Sequence, residues 1–291
     1  MIRNGRSNNN IPCVPKRKIG FLKTHKCASS SVQNILLRYV LKHNLNVVLP
    51  EKHNYLGYDR QFTRGMIANT VWEKANLIYD MFLCHTRWNH EEISQVLERG
   101  NEDKDIFYFS ILRDPVSLYR SYWDYYGLAK RFNSTLDAYA KSVISKTTTV
   151  YNDGIKKPPG YNQMLTDFGL DFRSMIINNG SSVQNIKDNV IKKIHEIDQT
   201  FDLIILADDE YFEDGMILLK NSLCWKYEDV INVKHLVKKN PSYLSDESGK
   251  IIKGSGSLSI CNCMNDPQYQ LILFDPAQFC FRLALARLHF I

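Results

Sequence analysis

The chain has 291 residues, of which 44% are hydrophobic and 23% are charged, and these proportions are typical of a globular protein. Its 37 basic and 31 acidic residues give a formal net charge of +6 at pH 7. This excess is too small to indicate nucleic-acid binding, but it suits a protein that handles an anionic substrate or cofactor.

The start of the chain gives no sign of a membrane or export signal. No stretch approaches the roughly 18 consecutive apolar residues of a transmembrane helix, and the polar first residues do not resemble a signal peptide. We expect residues 1–17 to form a disordered leader or stem and residues 18–291 to form a single domain. The protein is then either soluble as written or has an anchor outside this chain.

The first predicted unit is a strand, a basic loop and a helix. Ile19–Leu22 is apolar over the length of a strand, and apolar residues recur at helical spacing from Val32 to Val40. The loop between them carries lysines and hydroxyl residues, and Ser29–Ser31 can cap the helix. Because a helix N-terminus attracts anions, this unit predicts a phosphate or sulfate site. An ordinary capped helix with solvent-exposed lysines is the alternative.

The loop lacks the glycines of the phosphate-binding motif GxxxxGK[ST]. We therefore expect that its backbone does not wrap a triphosphate and that hydroxyl groups supply more of the contacts. This absence also argues against a nucleotide or sugar kinase, a rival hypothesis that magnesium-dependent ATP turnover would revive.

The rest of the chain alternates predicted strands and helices. Strands are predicted at 47–49, 77–84, 106–112 and 201–207, and helices at 90–99, from residue 115, at 134–146, 186–199 and 208–225. Residues 51–65 are predicted to be a loop, 161–172 a short helix and turn, 233–257 a mobile loop or flap, and 266–290 further helices. This alternation predicts an α/β fold with a central, mostly parallel sheet flanked by helices.

Polar residues follow two of the predicted strands, where open α/β sheets bind ligands. His85 follows one strand, and a hydrogen-bonded structural histidine is the commoner alternative. Arg113 follows another, Asp114 is placed to cap the next helix, and Ser121 lies about two turns into it. An arginine fork and a hydroxyl can hold a second phosphate. The alternative is an arginine that pairs with Asp114 or with a helix C-terminus.

These two units resemble those of the galactose-3-O-sulfotransferase family, which uses 3′-phosphoadenosine 5′-phosphosulfate (PAPS). FLKTHKCASSSVQNILLRYVLKHNLNVVLP resembles the family's 5′-phosphate unit, and ILRDPVSLYRSYWDYY resembles its 3′-phosphate unit. Similarity also extends through YNQMLTDFGLD and FDLIILADDEYFEDGMILLKNSLCW. Cys27 departs from the usual threonine, and residues 266–282 match the family's ending only distantly.

The resemblance implies a single P-loop-like sulfotransferase domain. It implies transfer of the sulfuryl group of PAPS to the 3-hydroxyl of a terminal galactose, on a glycolipid such as galactosylceramide or on a glycoprotein glycan. No metal is implied, because the lysines and the arginine neutralise the phosphates. The implied location is the lumenal side of the Golgi membrane, with an anchor that this chain does not contain. The oligomeric state stays open.

The resemblance also implies roles for individual residues. Lys26 is expected to stabilise the charge on the leaving oxygen, with Lys23 as the second choice. A histidine is expected to accept the proton of the sugar hydroxyl, with His85 as the first choice and His25 as the second. The residues expected to bind PAPS are Lys23, Thr24, Lys26, Ala28, Ser29, Ser30, Ser31, Arg113 and Ser121.

Acceptor selection is expected to depend on residues 51–64, Trp88 and residues 233–257. A secretory location would favour disulfides and would make the sequons at Asn133 and Asn179 candidates for glycosylation. We therefore expect at least one disulfide, with its pairing open, among Cys13, Cys224, Cys261, Cys263 and Cys280.

Two alternatives stay open within the resemblance. A glycosaminoglycan 2-O-sulfotransferase would carry a longer basic groove, to which Lys234, Lys238 and Lys239 would contribute. A catalytically silent relative would bind sulfated glycans without transferring sulfate. The joint presence of Lys26, His85, Arg113 and Ser121 argues against the silent relative.

Overall fold

The computed structural model of the protein describes residues 13–51, 53–67, 77–99, 105–145, 163–170, 183–208, 211–231 and 241–255. Its strands are β1 (Ile19–Leu22), β2 (Val47–Val48), β3 (Tyr55–Gln61), β4 (Met81–Phe82), β5 (His85–Arg87), β6 (Phe107–Leu112) and β7 (Leu203–Leu206). Its helices are α1 (Ser29–His43), α2 (His90–Glu98), α3 (Pro115–Tyr125), α4 (Leu128–Phe132), α5 (Leu136–Ser145), α6 (Gln163–Asp167), α7 (Val183–Thr200), α8 (Phe212–Ser222), α9 (Tyr227–Val230) and α10 (Asp246–Ser255).

Within these ranges, a central sheet joins five strands in the order β2-β4-β1-β6-β7, and all of its pairings are parallel. β1 lies in the middle, between β4 and β6. Every residue of β1 and β6 is buried, as expected for strands covered on both faces, which explains why unbroken apolar runs mark them in the sequence. The predicted α/β fold with a central, mostly parallel sheet is confirmed.

The strand order determines where the predicted functional residues lie. Parallel strands end at one edge of the sheet, so the loop after β1 and Arg113, which directly follows β6, come together there. The sequence places His85 after a strand end. In the structure His85 follows β4 but is also the first residue of β5. β5 pairs in parallel with β3 in a separate two-stranded sheet, and His85 lies opposite Tyr55 in that pairing.

The prediction that residues 51–65 form a loop is wrong over β3. The segment lacks an apolar period because Leu56 is buried while Tyr55, Arg60 and Gln61 are exposed. Its extended shape depends instead on pairing with β5, and such pairing partners are not visible in the local sequence.

The prediction of a loop or flap at 233–257 is wrong for α10, which packs against α3 and α5. Polar bonds rather than an apolar period fix the start of this helix. The backbone N–H and hydroxyl of Ser245 donate to Oδ1 of Asp137 over 2.8 and 2.6 Å, and the Ser248 backbone N–H donates to the Ser245 hydroxyl over 3.2 Å. The two bonds from Ser245 to Asp137 join residues 108 positions apart, so local pattern does not reveal them.

The first described residues are tied to the region after α8. The backbone N–H of Lys16 donates to the carbonyl of Leu223, and the Trp225 indole donates to the carbonyl of Lys16, each over 3.0 Å. Cys13 and Cys224 form a disulfide, so the prediction of a disulfide within the five named cysteines is confirmed. Cys27 and Cys84, which that prediction leaves out, are buried free thiols.

Several predictions concern residues outside the described ranges. These residues are 1–12, 233–240, 266–290, Asn179, Cys261, Cys263 and Cys280. Asn133, the other sequon asparagine, is exposed directly after α4. None of the helices in the described part of the chain has both the length and the apolar character needed to cross a bilayer.

Gly20→Ala is expected to lower the free energy of unfolding by about 1–3 kcal/mol, the usual range for overpacking a core. A Cβ at Gly20 would lie 2.4 Å from Cδ1 of Tyr108, its partner on β6. Gly65→Ala is the matched control, because a Cβ there meets no atom of the described structure within 4 Å. Urea denaturation of both variants measures the difference, and equal stabilities would contradict the packing of β1 on β6.

Cys13→Ser is expected to lower the free energy of unfolding by about 2–5 kcal/mol, since the disulfide closes a loop between residues 211 positions apart. Denaturation with and without a reductant measures the effect. The reductant should destabilise the wild type to the level of the variant and leave the variant unchanged. A wild type that is insensitive to full reduction would contradict the expectation.

Candidate active site

The loop between β1 and α1 turns tightly without glycine. Lys26 and Ala28 have φ angles of 58° and 55°, in the left-handed region that residues with a Cβ adopt only at a conformational cost. The chain therefore turns sharply after β1. The expectation that this backbone does not wrap a triphosphate as a glycine-rich loop does stays a prediction. The turn brings Lys26 beside the first turn of α1.

The predicted serine cap of α1 is wrong. Ala28 occupies the N-cap position and its methyl group forms no cap, while Ser29–Ser31 form the first helical turn. The Ser31 backbone N–H donates to the Ala28 carbonyl over 2.9 Å. The first-turn N–H groups that precede it can bind an anion, and the three hydroxyls lie beside them. Ser30 is exposed and Ser31 is partly exposed, whereas Ser29 is buried.

Lys23 and Thr24 form the floor of the loop. Lys23 is 1% exposed, and its Nζ donates to the hydroxyls of Ser30 over 2.8 Å and Ser29 over 3.4 Å. Burial lowers the pKa of Lys23 to about 8, so it stays largely protonated at pH 7. The Thr24 hydroxyl donates to the carbonyl of Ile111 on β6, which commits it to fixing the loop. A Thr24 contact to an anion would have to come from its backbone N–H.

Two further cations meet at the mouth of the loop. Nη1 of Arg113 donates to the Lys26 carbonyl over 3.2 Å, while its buried Nε has no hydrogen-bond partner among the described residues. Burial and the nearby Arg113 lower the pKa of Lys26. The Lys26 ammonium lies 3.8 Å from the centroid of the Tyr125 ring. Asp114 caps α3 as predicted, because its Oδ2 accepts from the Val116 backbone N–H over 2.8 Å.

The two predicted histidines lie face to face beside these cations, with ring centroids 4.1 Å apart. Nδ1 of His85 lies 2.8 Å from the Lys23 carbonyl, which can only accept, so Nδ1 carries the proton and Nε2 does not. Burial, His25 and the Lys23 ammonium lower the pKa of His85 to about 2. His85 is therefore a neutral ring at physiological pH.

His25 is held by Asp167, a residue that the sequence analysis does not identify. Oδ1 of Asp167 lies 2.9 Å from Nδ1 of His25, and its Oδ2 accepts the His25 backbone N–H over 2.8 Å. Gln163 adds a donor to Oδ1 over 3.3 Å. The carboxylate is fully buried, so these donors replace the water that it loses. It lies 142 residues from His25, and the pattern at 161–172 predicts only a short helix and turn.

The remaining predicted residues have different surroundings. Ser121 is partly buried on α3, and its role with Arg113 stays a prediction. Trp88 is 2% exposed and packs between core rings such as Phe201, so the expectation that it selects the acceptor is wrong. Tyr55 connects β3 with the site, because its ring lies 5.1 Å from that of His85.

Metal binding remains a separate question. Within the described ranges, no group of three or more histidine, cysteine, aspartate or glutamate side chains is arranged to hold a metal ion. The expectation that the reaction needs no metal stays a prediction.

Comparison with known proteins points to one family. The family model described as galactose-3-O-sulfotransferase matches residues 4–255. The chain is 34% identical to galactose-3-O-sulfotransferase 2 of Mus musculus over 243 residues, which cover 80% of this chain and 57% of that protein. It is 30% identical to galactosylceramide sulfotransferase of Homo sapiens over 229 residues, which cover 76% of this chain and 49% of that protein.

A more distant relative agrees with these two. Galactose-3-O-sulfotransferase 4 of Homo sapiens is 27% identical over 284 residues, with 77% of this chain and 55% of that protein covered. The chain spans about half the length of the curated relatives that it matches. No solved structure matches the chain.

His85→Gln is expected to weaken the loss of stability that the wild type undergoes in acid. Folded His85 stays neutral because its pKa is about 2, whereas the unfolded ring binds a proton near pH 6.5. The free energy of unfolding therefore falls as the pH decreases below about 6.5, at up to about 1.4 kcal/mol per pH unit from this group. Denaturation at pH 7, 6 and 5 measures the slope. Parallel slopes for wild type and variant would show that folded His85 takes up the proton.

Proposed function

The chain belongs to the galactose-3-O-sulfotransferase family, and from this membership we propose that it transfers the sulfuryl group of PAPS to the 3-hydroxyl of a terminal galactose. One observation supports the proposal above others. The four consecutive residues Lys23–Lys26 place three functional groups at the end of β1. These are the buried Lys23 ammonium, the His25 ring bound to Asp167, and the Lys26 ammonium. Arg113 and the N-terminus of α1 lie beside them.

The donor set fits a nucleotide that carries two phosphate groups. Lys23, Lys26 and the first turn of α1 would hold the 5′-phosphosulfate. Arg113 would hold the 3′-phosphate, since its buried Nε lacks a hydrogen-bond partner among the described residues and a phosphate oxygen can fill that need. Ser121 would add a hydroxyl from α3. When bound, PAPS supplies the activated sulfuryl group.

Lys26 is the residue best suited to stabilise the oxygen that leaves. Its side chain is partly exposed at the mouth of the loop, whereas Lys23 is enclosed by Ser29 and Ser30. The lowered pKa of Lys26 makes its ammonium a stronger hydrogen-bond donor to an oxygen that gains negative charge. Lys23, at the floor of the loop, would then help to orient the phosphate.

We favour His25 as the general base, which reverses the order that the sequence suggests. His85 is a weak base, because burial and two neighbouring groups lower its pKa to about 2. His25 instead has Asp167 on Nδ1, and a carboxylate in that position stabilises the proton that a base takes up. Proton transfer would use Nε2 of His25, while His85 packs against its ring as a neutral partner.

The acceptor class follows from the names of the relatives rather than from this chain's own contacts. They are galactose-3-O-sulfotransferases and a galactosylceramide sulfotransferase, so we propose a galactose-terminated glycolipid or glycan as the acceptor. Family membership is also the basis for proposing a lumenal Golgi location.

The central test is transfer of radiolabelled sulfate from PAPS to galactosylceramide, lactose, N-acetyllactosamine and desulfated heparan. We expect label on galactose acceptors. Lys26→Ala should lower kcat about 100- to 1,000-fold, as for the loss of a charge-stabilising donor. His25→Ala should lower it about 100- to 10,000-fold, as for the loss of a general base. Lys220→Ala is the matched control, because its ammonium also lies over a tyrosine, Tyr227, at 4.2 Å.

Other outcomes would change the proposal in defined ways. Label on desulfated heparan alone would indicate a glycosaminoglycan 2-O-sulfotransferase. Binding of adenosine 3′,5′-bisphosphate without any transfer would indicate a silent relative. Full activity of His25→Ala together with an inactive His85→Ala would restore His85 as the base.

A further inference from the structure

Two exposed tyrosines contact the histidines or Lys26, and a third packs against one of them. Tyr55 on β3 is 42% exposed, Tyr125 at the end of α3 is 66% exposed, and Tyr126 directly after it is 45% exposed. A single exposed aromatic ring is common on protein surfaces, but a group of rings beside a cluster of charged residues is a frequent feature of ligand sites.

Each ring has a defined position relative to the proposed catalytic groups. The Tyr55 ring lies 5.1 Å from that of His85 and 5.8 Å from that of His25, nearly parallel to both. The Tyr125 ring lies under the Lys26 ammonium at 3.8 Å. Tyr126 stands edge-on to Tyr125 at 5.0 Å. The tyrosines thus reach the base from β3 and the loop lysine from α3.

The two sides also influence each other electrostatically. Burial, and then Tyr122, Tyr55 and Tyr125, raise the pKa of Tyr126 to about 12. The carboxylate of Asp167, which binds His25, also helps to raise the pKa of Tyr126. Lys26 directly follows His25 in the chain, so the Tyr55 ring beside His25 and the Tyr125 ring under Lys26 lie against neighbouring residues of the loop.

We propose that Tyr55, Tyr125 and Tyr126 form an aromatic subsite that binds the galactose ring of the acceptor. This inference rests on the proposed function and adds the residues that recognise the sugar. In galactose the axial 4-hydroxyl leaves the C–H groups at C3, C4 and C5 together on one face. Those weakly positive C–H groups complement the negative face of a tyrosine ring.

Stacking of this kind also orients the reacting hydroxyl. A sugar ring that lies flat on an aromatic face keeps its hydroxyls at its edge, and the 3-hydroxyl lies at the border of the apolar patch. Tyr55 is in contact with both histidine rings, so a galactose held against the tyrosines would have its edge near His25. The subsite would thereby contribute orientation as well as affinity.

Contact between a lysine and a tyrosine does not by itself indicate a sugar site. Tyr227 is 64% exposed and lies 4.2 Å from the Lys220 ammonium, yet it belongs to α9, outside this group of rings. Tyr125 differs because its lysine, Lys26, directly follows His25, whose ring lies beside that of Tyr55, and because Tyr126 packs against it. Tyr227 is therefore the matched control for the subsite.

The experiment compares Tyr126→Ala, Tyr126→Phe, Tyr55→Ala and Tyr227→Ala in sulfate transfer to lactose. Tyr126→Ala and Tyr55→Ala should raise KM for lactose about 3- to 10-fold, the range expected for one lost ring contact. Tyr126→Phe keeps the ring and should keep KM within about 2-fold, and Tyr227→Ala should behave as the wild type. Tyr126 makes no described contact with Lys26, so kcat of Tyr126→Ala should change less than its KM.

A second measurement separates the sugar from the nucleotide, because adenine also stacks on aromatic rings. Calorimetry with adenosine 3′,5′-bisphosphate should give the same Kd for wild type and Tyr126→Ala. A Kd that rises while KM for lactose is unchanged would overturn the inference and assign the rings to the nucleotide. Unchanged KM and unchanged Kd in an active enzyme would also overturn it.

Failure of the proposed function is distinguishable from failure of the subsite. A wild type that binds the bisphosphate but transfers sulfate to no galactoside contradicts the function. Saturation-transfer NMR with lactose and the bisphosphate then tests the subsite alone. Lactose signals that weaken in Tyr126→Ala relative to Tyr227→Ala support the subsite, and equal signals, or none with the wild type, overturn it.

Discussion

The candidate site depends on one buried carboxylate. Asp167 has no exposed surface, so its charge has to be matched by protein donors, and the backbone and ring of His25 supply two of them. This pairing ties α6 to the loop after β1 and fixes the direction of His25. The next residue, Lys26, has a left-handed backbone conformation, and its carbonyl accepts a hydrogen bond from Arg113 over 3.2 Å. The loop's shape therefore comes from a contact between distant segments rather than from glycine.

The same arrangement gathers positive charge in a poorly solvated place. Lys23 is enclosed, and Lys26 and Arg113 lie close enough that Arg113 helps to lower the pKa of Lys26. Without a ligand, this crowding opposes folding, because each cation loses water and repels the others. An anion with several oxygens relieves both effects at once. This electrostatic cost is a physical reason for proposing that the site binds a phosphate, which would stabilise the folded protein.

Local sequence pattern predicts the parts of this structure that depend on local physics. β1 and β6 are marked by unbroken apolar runs because both of their faces are covered, and Asp114 is marked as a cap by its place before Pro115. Features that depend on distant partners leave no such mark. β3 is extended through its pairing with β5, and Asp167 acts on a residue 142 positions away. The serine cap predicted for α1 is wrong because the left-handed Ala28 takes the N-cap position, which places the serines inside the helix.

The geometry also limits how an acceptor would reach His25, the proposed base. Asp167 occupies Nδ1 of His25, and the His85 ring covers one face of the His25 ring at 4.1 Å. A sugar hydroxyl therefore has to approach the Nε2 edge. The Lys26 end of the loop is where the phosphosulfate would lie, since its ammonium and the first turn of α1 attract the anion. An in-line reaction needs the acceptor on the opposite side of the sulfur from the leaving oxygen, and the base has to lie on the acceptor side. His25 meets this demand only if its Nε2 edge and the Lys26 ammonium flank the sulfuryl group. The left-handed φ of 58° at Lys26 is the local feature that would let these adjacent residues act from two sides.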